Sequence, residues 1–308
     1  MCNISIIIPT YNRCKILEAT LNSLLVSNNY DIIWEVIVID NNSNDHTKEI
    51  VAAFQNRLPI KYLFEKKQGK NVAVNKGISE ASYGILVFID DDISVDKNWF
   101  NVVQESVAKY PDVNIFGGKV LTKWPEATPE WVYYSSSNFP FLFRNHDLGD
   151  EVINYSYAPL PTGANFWIRK SLLKKHGAIF NEQFGPTGNK RVSGSETEFL
   201  VRMHRKQEKM LYIPNAIVHH RVLAIEFSIR KLLHRFRATG KSALVSSAED
   251  VSTHFLGKIP LYLVRQLIEE LFRSIGFAIF FKKSKYMNSM IKLAYFFGKS
   301  QAFWERNK

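Results

Sequence analysis

Over the first ninety residues, short apolar runs alternate with helical stripes. Ser5–Pro9 reads as a buried strand, and Leu17, Leu21, Leu24 and Leu25 mark one face of a following helix. Trp34–Asp40 is a second strand, closed by the turn and cap cluster Asn41–Asp45. Ile50, Val51 and Phe54 form the next stripe, Ile60–Phe64 a third strand, and Val72–Ala81 a further helix. The apolar run Ile85–Ile89 then enters three consecutive aspartates, Asp90, Asp91 and Asp92. This order predicts an α/β fold, an open, mostly parallel sheet with helices on both faces. Such sheets bind ligands beyond the carboxyl ends of their strands. Pro9–Asn12, Asp40–Asn41 and Asp90–Asp92 all fall there.

Regular alternation fades between Leu121 and Tyr157. That stretch holds Trp124, Trp131, Tyr133, Tyr134, Phe139, Phe141, Phe143, Tyr155 and Tyr157. They form either a platform for a stacked ligand or the packing of an irregular region. Ala164–Ile168 then reads as a strand, Ser195–Arg205 as a helix, and Met210–Ile213 and Ala216–Val218 as strand. Near the C-terminus Val264, Leu267, Ile268, Leu271, Ile275, Ala278 and Ile279 make a helical stripe, and Lys282, Lys283 and Lys285 follow Phe281. This is either an interfacial helix suited to anionic lipid headgroups or a packed helical subdomain.

The chain has 308 residues, 46% of them hydrophobic, enough for a full core with an appendage. Cys2 and Cys14 are the two cysteines and suggest neither a disulfide framework nor a zinc site, which fits a reducing compartment. No basic leader precedes the first strand, and no apolar run of about 20 residues predicts a membrane span. The net charge of +11 is concentrated late, since residues 223–308 hold 15 Lys and Arg against 6 Asp and Glu. A basic tail suits nucleic acid or an anionic membrane. No nucleic-acid recognition motif accompanies it, so no nucleic-acid partner is expected.

Asp90–Asp92 carry the strongest chemical signal. Three adjacent carboxylates repel one another, and each is costly to bury unpaired. A divalent cation at the strand's end would relieve both costs. Mg²⁺ and Mn²⁺ favour carboxylate oxygen, and a phosphate-bearing substrate would complete their coordination. An enzyme handling a nucleotide diphosphate is the reading that follows.

Several segments together resemble a known group. They are Ile6–Arg13, Val36–Ser43, Gly69–Gly77, Phe88–Asp92, Gly163–Asn165, Gly194–Leu200 and Pro214–His220, spread over residues 1–222. The chain is similar to the family 2 glycosyltransferases, inverting enzymes of the GT-A fold. The resemblance implies a catalytic domain over 1–222 and leaves 223–308 as a basic, helical C-terminal extension. It implies a nucleotide-sugar donor, UDP-linked, and a saccharide or lipid-linked saccharide acceptor in surface polysaccharide or glycoconjugate synthesis. The expected place is the cytoplasm, at the inner face of the cell membrane. A sugar-phosphate nucleotidyltransferase uses a similar sheet but a glycine-rich basic loop after the first strand, where this chain has Pro9–Arg13. A non-catalytic carbohydrate- or partner-binding module is the third reading.

The resemblance also implies roles. Pro9, Thr10, Tyr11 and Asn12 line the nucleotide pocket, although Tyr11 could equally pack, and Asp40 accepts a hydrogen bond from the base. Asp90 and Asp91 bind the nucleotide sugar, and Asp92 ligates the metal, Mn²⁺ or Mg²⁺, with His220 completing its site. Where many relatives carry an arginine this chain has Val74, so Lys70 or Asn71 would contact the nucleotide instead; a plain capped helix is the other reading. Asn165 lies beside the donor sugar or acceptor. Glu196 is the catalytic base. Glu196, Phe199, Leu200 and Met203 share one helical face, whereas Glu198 faces elsewhere and can pair with Arg202 four residues on.

Overall fold

The structure, a computed structural model, describes residues 3–27, 33–138, 143–156, 159–187, 190–192, 194–246 and 255–306. Cys2, Phe139, Phe141 and Tyr157 lie outside the described residues. In chain order the elements are β1 (Ile4–Thr10), α1 (Cys14–Val26), β2 (Trp34–Asp40), α2 (Thr47–Ala53), β3 (Ile60–Phe64), α3 (Lys70–Glu80) and β4 (Ile85–Phe88). Then come β5 (Ile93–Val95), α4 (Trp99–Lys109), β6 (Ile115–Lys123), α5 (Glu130–Asn138), β7 (Ile153–Asn154), β8 (Phe166–Arg169) and α6 (Lys170–His176). Next are β9 (Gly185–Thr187), β10 (Lys190–Val192), α7 (Ser195–Arg205), β11 (Met210–Arg221) and α8 (Ile229–Ser246). The last are β12 (Phe255–Leu256), β13 (Ile259–Pro260), α9 (Leu261–Ile279) and α10 (Lys283–Arg306).

The main sheet has the order β3-β2-β1-β4-β8-β6-β11-β5, with β7 pairing β11. Strands β3, β2, β1 and β4 pair in parallel, as the βα alternation predicts. Antiparallel β8 is inserted between β4 and β6. The two strand segments read separately around Pro214 are one strand, β11, whose pairing with β6 shifts register between Ile213 and Ile217.

Nearly every residue of the inner strands is buried, yet side-chain direction still alternates. Ile4, Ile6, Ile8, Val36 and Val38 pack with Leu17, Leu21, Val51, Trp99 and Val103. Ile7, Ile37, Ile39, Leu86 and Phe88 pack with Ala73, Val74, Ile78, Phe199 and Leu200. Helices α1, α2 and α4 therefore cover one face and α3, α6 and α7 the other, because successive strand residues point to opposite sides. Gly77 lets α3 approach closely: a Cβ there would lie 2.7 Å from Ile39 Cδ1 and 2.8 Å from Ile7 Cγ2.

By contact the chain divides into two compact units, one of residues 1–123, 144–190 and 195–221, the other of 124–143, 191–194 and 222–308. The second is helical. Its core gathers Trp131, Val132, Phe143, Val222, Leu232, Phe236, Met287 and Ile291. Trp124 packs on Tyr133 and Phe143, so these members of the aromatic stretch serve packing. No helix among the described residues is long and apolar enough to cross a membrane.

Candidate active site

Register brings the polar clusters to one edge. Thr10 at the end of β1 is paired with Asp40 at the end of β2, and Phe88 of β4 lies beside Ile7 of β1. Asp90, Asp91 and Asp92 follow immediately, and all three are buried.

Each carboxylate is met by cations. Asp90 accepts from Lys70 Nζ and Arg144 Nη1, both at 2.5 Å. Asp91 accepts from Thr10 Oγ1 at 2.8 Å and Arg13 Nη1 at 2.6 Å. Asp92 Oδ2 accepts from Arg13 Nη2 at 2.9 Å and lies 3.3 Å from His220 Nε2. Burial alone would raise all three acidities' pKa values. For Asp90 that effect is outweighed by Lys70 and Arg144, and its pKa falls below the usual value. Asp92 is held well below it, His220 and Arg13 overcoming burial. Asp91 goes the other way: burial, with Asp92 beside it, outweighs Arg13 and pushes it up to about 6.

The main chain of the acidic segment is fixed from behind. Thr20 Oγ1 donates to the Asp91 carbonyl at 2.6 Å, and the Arg221 N–H donates to the Asp92 carbonyl at 2.9 Å. The Arg221 guanidinium in turn donates to Ser94 Oγ and Thr20 Oγ1. His220 stands beside Asp92 because β11 pairs antiparallel with β5, matching His220 to Ile93.

Two buried atoms in this cluster lack a hydrogen-bond partner among the described residues: Asp92 Oδ1 and His220 Nδ1. A buried carboxylate oxygen with nothing to accept from is costly. A carboxylate oxygen suits a divalent cation, whereas the orphan Nδ1 of His220 is not the ring nitrogen that faces Asp92. Among the described residues no three Asp, Glu, His or Cys side chains gather into a metal cage. Asp92 Oδ1 is thus the carboxylate oxygen of the cluster left to a cation, and the described protein side chains alone do not complete a coordination shell.

Glu196, the second residue of α7, lines a small cavity with Pro9, Lys70, Asn71, Asp90 and Gly163. Its carboxylate has no hydrogen-bond partner among the described residues. Gly163 leaves room for it, since a Cβ there would lie 3.0 Å from Glu196 Cδ and 3.1 Å from Oε2. Glu198 pairs with Arg202 Nε at 3.0 Å, on a different side of the helix. The partition of the two glutamates follows the helical periodicity.

Other predicted residues sit as follows. Asp40 accepts from the Ser43 N–H and from Tyr62 OH, each at 2.8 Å. Asn12, with φ 51, accepts from the Asn44 N–H at 2.8 Å, and Tyr11 is exposed beside it. Asn71 and Asn165 are both held by neighbouring groups. Asn71 is wholly buried; its amide donates to the Asn181 carbonyl at 2.7 Å and its oxygen accepts from Ser195 Oγ. It ties α3 to the start of α7 and lines the cavity shared by Glu196 and Lys70, while Lys70 reaches Asp90. Asn165 is also wholly buried. It accepts from Trp99 Nε1 at 3.0 Å and donates to the carbonyls of Lys119 and Ala216. Its amide is fully hydrogen-bonded within the fold.

Two residues at the site went unassigned from sequence. Arg13 sits next to the quoted Pro9–Asn12 segment, and a lone cation at an edge crowded with acids was a usable signal. Arg144 comes from an irregular stretch at φ 61, 54 residues from Asp90, and no local pattern marks it.

The arrangement is a mostly parallel α/β sheet with acids and counter-cations gathered at its carboxyl edge. The model of glycosyl transferase family 2 matches residues 5–177, and the chain belongs to that family. Glycosyltransferase AglE of Haloferax volcanii is 27% identical over 201 residues, 65% of this chain and 60% of its own. The GalNAc(5)-diNAcBac-PP-undecaprenol beta-1,3-glucosyltransferase of Campylobacter jejuni is 27% identical over 227 residues, 72% of this chain and 65% of its own. The chain thus spans less than two thirds of either relative. Among solved structures, S. aureus TarS 1-349 in complex with UDP-GlcNAc gives a TM-score of 0.56 at 14% identity, covering 99% of this chain and 92% of that one. Mannosyltransferase PcManGT from Pyrobaculum calidifontis, in complex with GDP-Man and Mn²⁺, gives 0.57 at 17% identity, covering 80% and 65%. At such identities these two likenesses establish the fold.

Proposed function

We propose that this chain transfers a glycosyl group, with inversion, from a nucleotide-sugar donor to a hydroxyl of a saccharide or lipid-linked saccharide. The observation that carries the reading is the shared cavity of Glu196, Asp90 and Lys70 at the sheet's carboxyl edge. The donor is a UDP-sugar, with its base against Asp40, Tyr11 and Asn12. The reaction belongs to residues 1–222, with 223–308 as an appended helical extension. The Campylobacter relative, named for an undecaprenol-linked substrate, supports a lipid-linked acceptor, and with it we take the working place to be the cytosolic face of a membrane.

Asp92 and His220 would hold a divalent cation, Mn²⁺ or Mg²⁺, whose chemistry is to screen the diphosphate and stabilise it as a leaving group. The chain's own residues do the rest. Glu196 takes the proton of the acceptor hydroxyl as its oxygen bonds to the anomeric carbon. The bond from that carbon to the diphosphate breaks in the same displacement, and its electron pair stays on the diphosphate. Lys70, Arg13 and Arg144 supply positive charge where that anion departs. One displacement with one base requires no covalent intermediate.

A screen of nucleotide sugars with Mn²⁺ or Mg²⁺, followed by release of nucleoside diphosphate, tests the reading. UDP-sugar turnover that EDTA abolishes and Mn²⁺ restores is expected. If no nucleotide sugar binds with either metal, the proposal fails.

A further inference from the structure

Helix α9 buries a carboxylate and leaves a row of large apolar side chains exposed. The face it buries carries Leu263, Glu270 and Ser274. Glu270 is only 4% exposed; it accepts from Arg273 Nη1 and from Ser289 Oγ of α10, both at 2.7 Å. The opposite face carries Leu261, Ile268, Phe272, Ile275 and Ile279, all exposed, with Phe272 at 69%. Their spacing of seven, four, three and four residues keeps them on one stripe, which the exposed Arg265, paired with Glu269, interrupts between Leu261 and Ile268. A water-facing helix normally buries such a stripe and exposes its acids. Here a carboxylate occupies the packed side while five large apolar side chains face outward, an arrangement that makes sense if that face meets an apolar medium.

The helix exit adds charge. Phe280 and Phe281 project from the end of α9, Phe281 at 94% exposure, and Lys282, Lys283 and Lys285 follow, all exposed. Aromatic side chains next to lysines fit a headgroup boundary, apolar rings below and ammonium groups at the phosphates. The excess of 15 basic over 6 acidic residues in 223–308 has the same sign. No described helix can span a bilayer, so the contact lies on the surface.

We propose that the outward stripe of α9 and the corner Phe280–Lys285 seat the protein on an anionic lipid surface. This deepens the lipid-linked acceptor reading by naming the face that meets the membrane. A second copy of the chain would also cover an apolar stripe, but copies bearing the same lysines repel at that corner.

The test is flotation of the full chain with phosphatidylcholine vesicles, with and without about 30 mol% phosphatidylglycerol. The protein floats with the anionic vesicles, less so at high salt. Phe272→Ser with Ile275→Ser lowers the bound fraction about tenfold or more. Lys282→Glu with Lys283→Glu lowers it by a similar factor and removes the salt effect. Both variants keep wild-type circular dichroism and donor binding, because the changed side chains are exposed and remote in sequence from the site. Absence of flotation, or flotation unchanged in both variants, overturns the proposal. So does a self-associated species in sedimentation equilibrium that the Phe272→Ser, Ile275→Ser variant dissociates while no vesicle binding is seen. The vesicles carry no sugar donor or acceptor, so failure here and failure of the transfer assay are separate results.

Discussion

Gly163→Ala is the sharpest probe of Glu196. The backbone at Gly163 lies outside the left-handed region, so alanine brings no conformational strain. Its only effect is a methyl group 3.0 Å from Glu196 Cδ, 3.1 Å from Oε2 and 3.3 Å from Oε1. Comfortable carbon contacts begin at about 3.5 Å, so the carboxylate must retreat by about half an ångström. Misplacing a reacting group by about 1 Å can cost about 100-fold, so half that shift predicts a fall in kcat of about tenfold to 100-fold. Donor KM stays near the wild-type value, because the methyl meets the base and not the acidic segment. The assay is steady-state release of nucleoside diphosphate with acceptor saturating. A double-mutant cycle makes it specific: in a Glu196→Gln background the alanine adds almost no further loss, since both changes act through one group. Wild-type kcat in Gly163→Ala, or equal losses in both backgrounds, would refute Glu196 as the base positioned by this glycine.

Three further outcomes are expected. Glu196→Gln lowers kcat by about 10²–10⁴, while Glu198→Gln, which breaks only the pair with Arg202, stays within a few-fold of wild type; the same assay decides, and the reverse ranking would exchange the two roles. Glu208 is buried, and hydrogen bonds from Lys175, His176 and Asn114 outweigh that burial and bring its pKa from 4.5 to about 2. A depressed folded pKa stabilises above the unfolded value, so about 3 kcal/mol is fully present above pH 4.5 and is lost as pH falls toward 2; urea midpoints of wild type and Glu208→Gln should converge over that window, and a constant gap would show that the charge is not responsible. Gly77→Ala places a methyl 2.7–2.8 Å from Ile39 and Ile7, and overpacking of about 1–3 kcal/mol exceeds the ~1 kcal/mol gained in helix propensity, so the urea midpoint falls; a raised midpoint would mean that the helix moves freely off the sheet.

What could be read along the chain was whatever depends on neighbours in sequence. The parallel block β3-β2-β1-β4 follows from βα alternation, and Asp90–Asp92 stand out because a buried strand cannot end in carboxylates without a reason. The separation of Glu196 from Glu198 needs only 100° per residue. The stripe on α9 was equally visible, but periodicity states which residues share a face and not whether that face is covered. Only packing turned it outward and buried Glu270 in its place. Asn71 and Asn165 show the same limit at the site. Both are polar and stand in segments that resemble ligand-binding ones, yet tertiary neighbours saturate their amides. Arg144 is the converse case, a residue in an irregular stretch that long-range folding carries to Asp90. Sequence by itself determined the βα alternation of the first ninety residues, the helix that carries Glu196 and the acidic edge, because those are local consequences of backbone geometry and solvation. Which cation meets each acid, which polar groups remain available to a ligand and which apolar face stays open were decided by tertiary structure, since each depends on contacts between residues tens of positions apart.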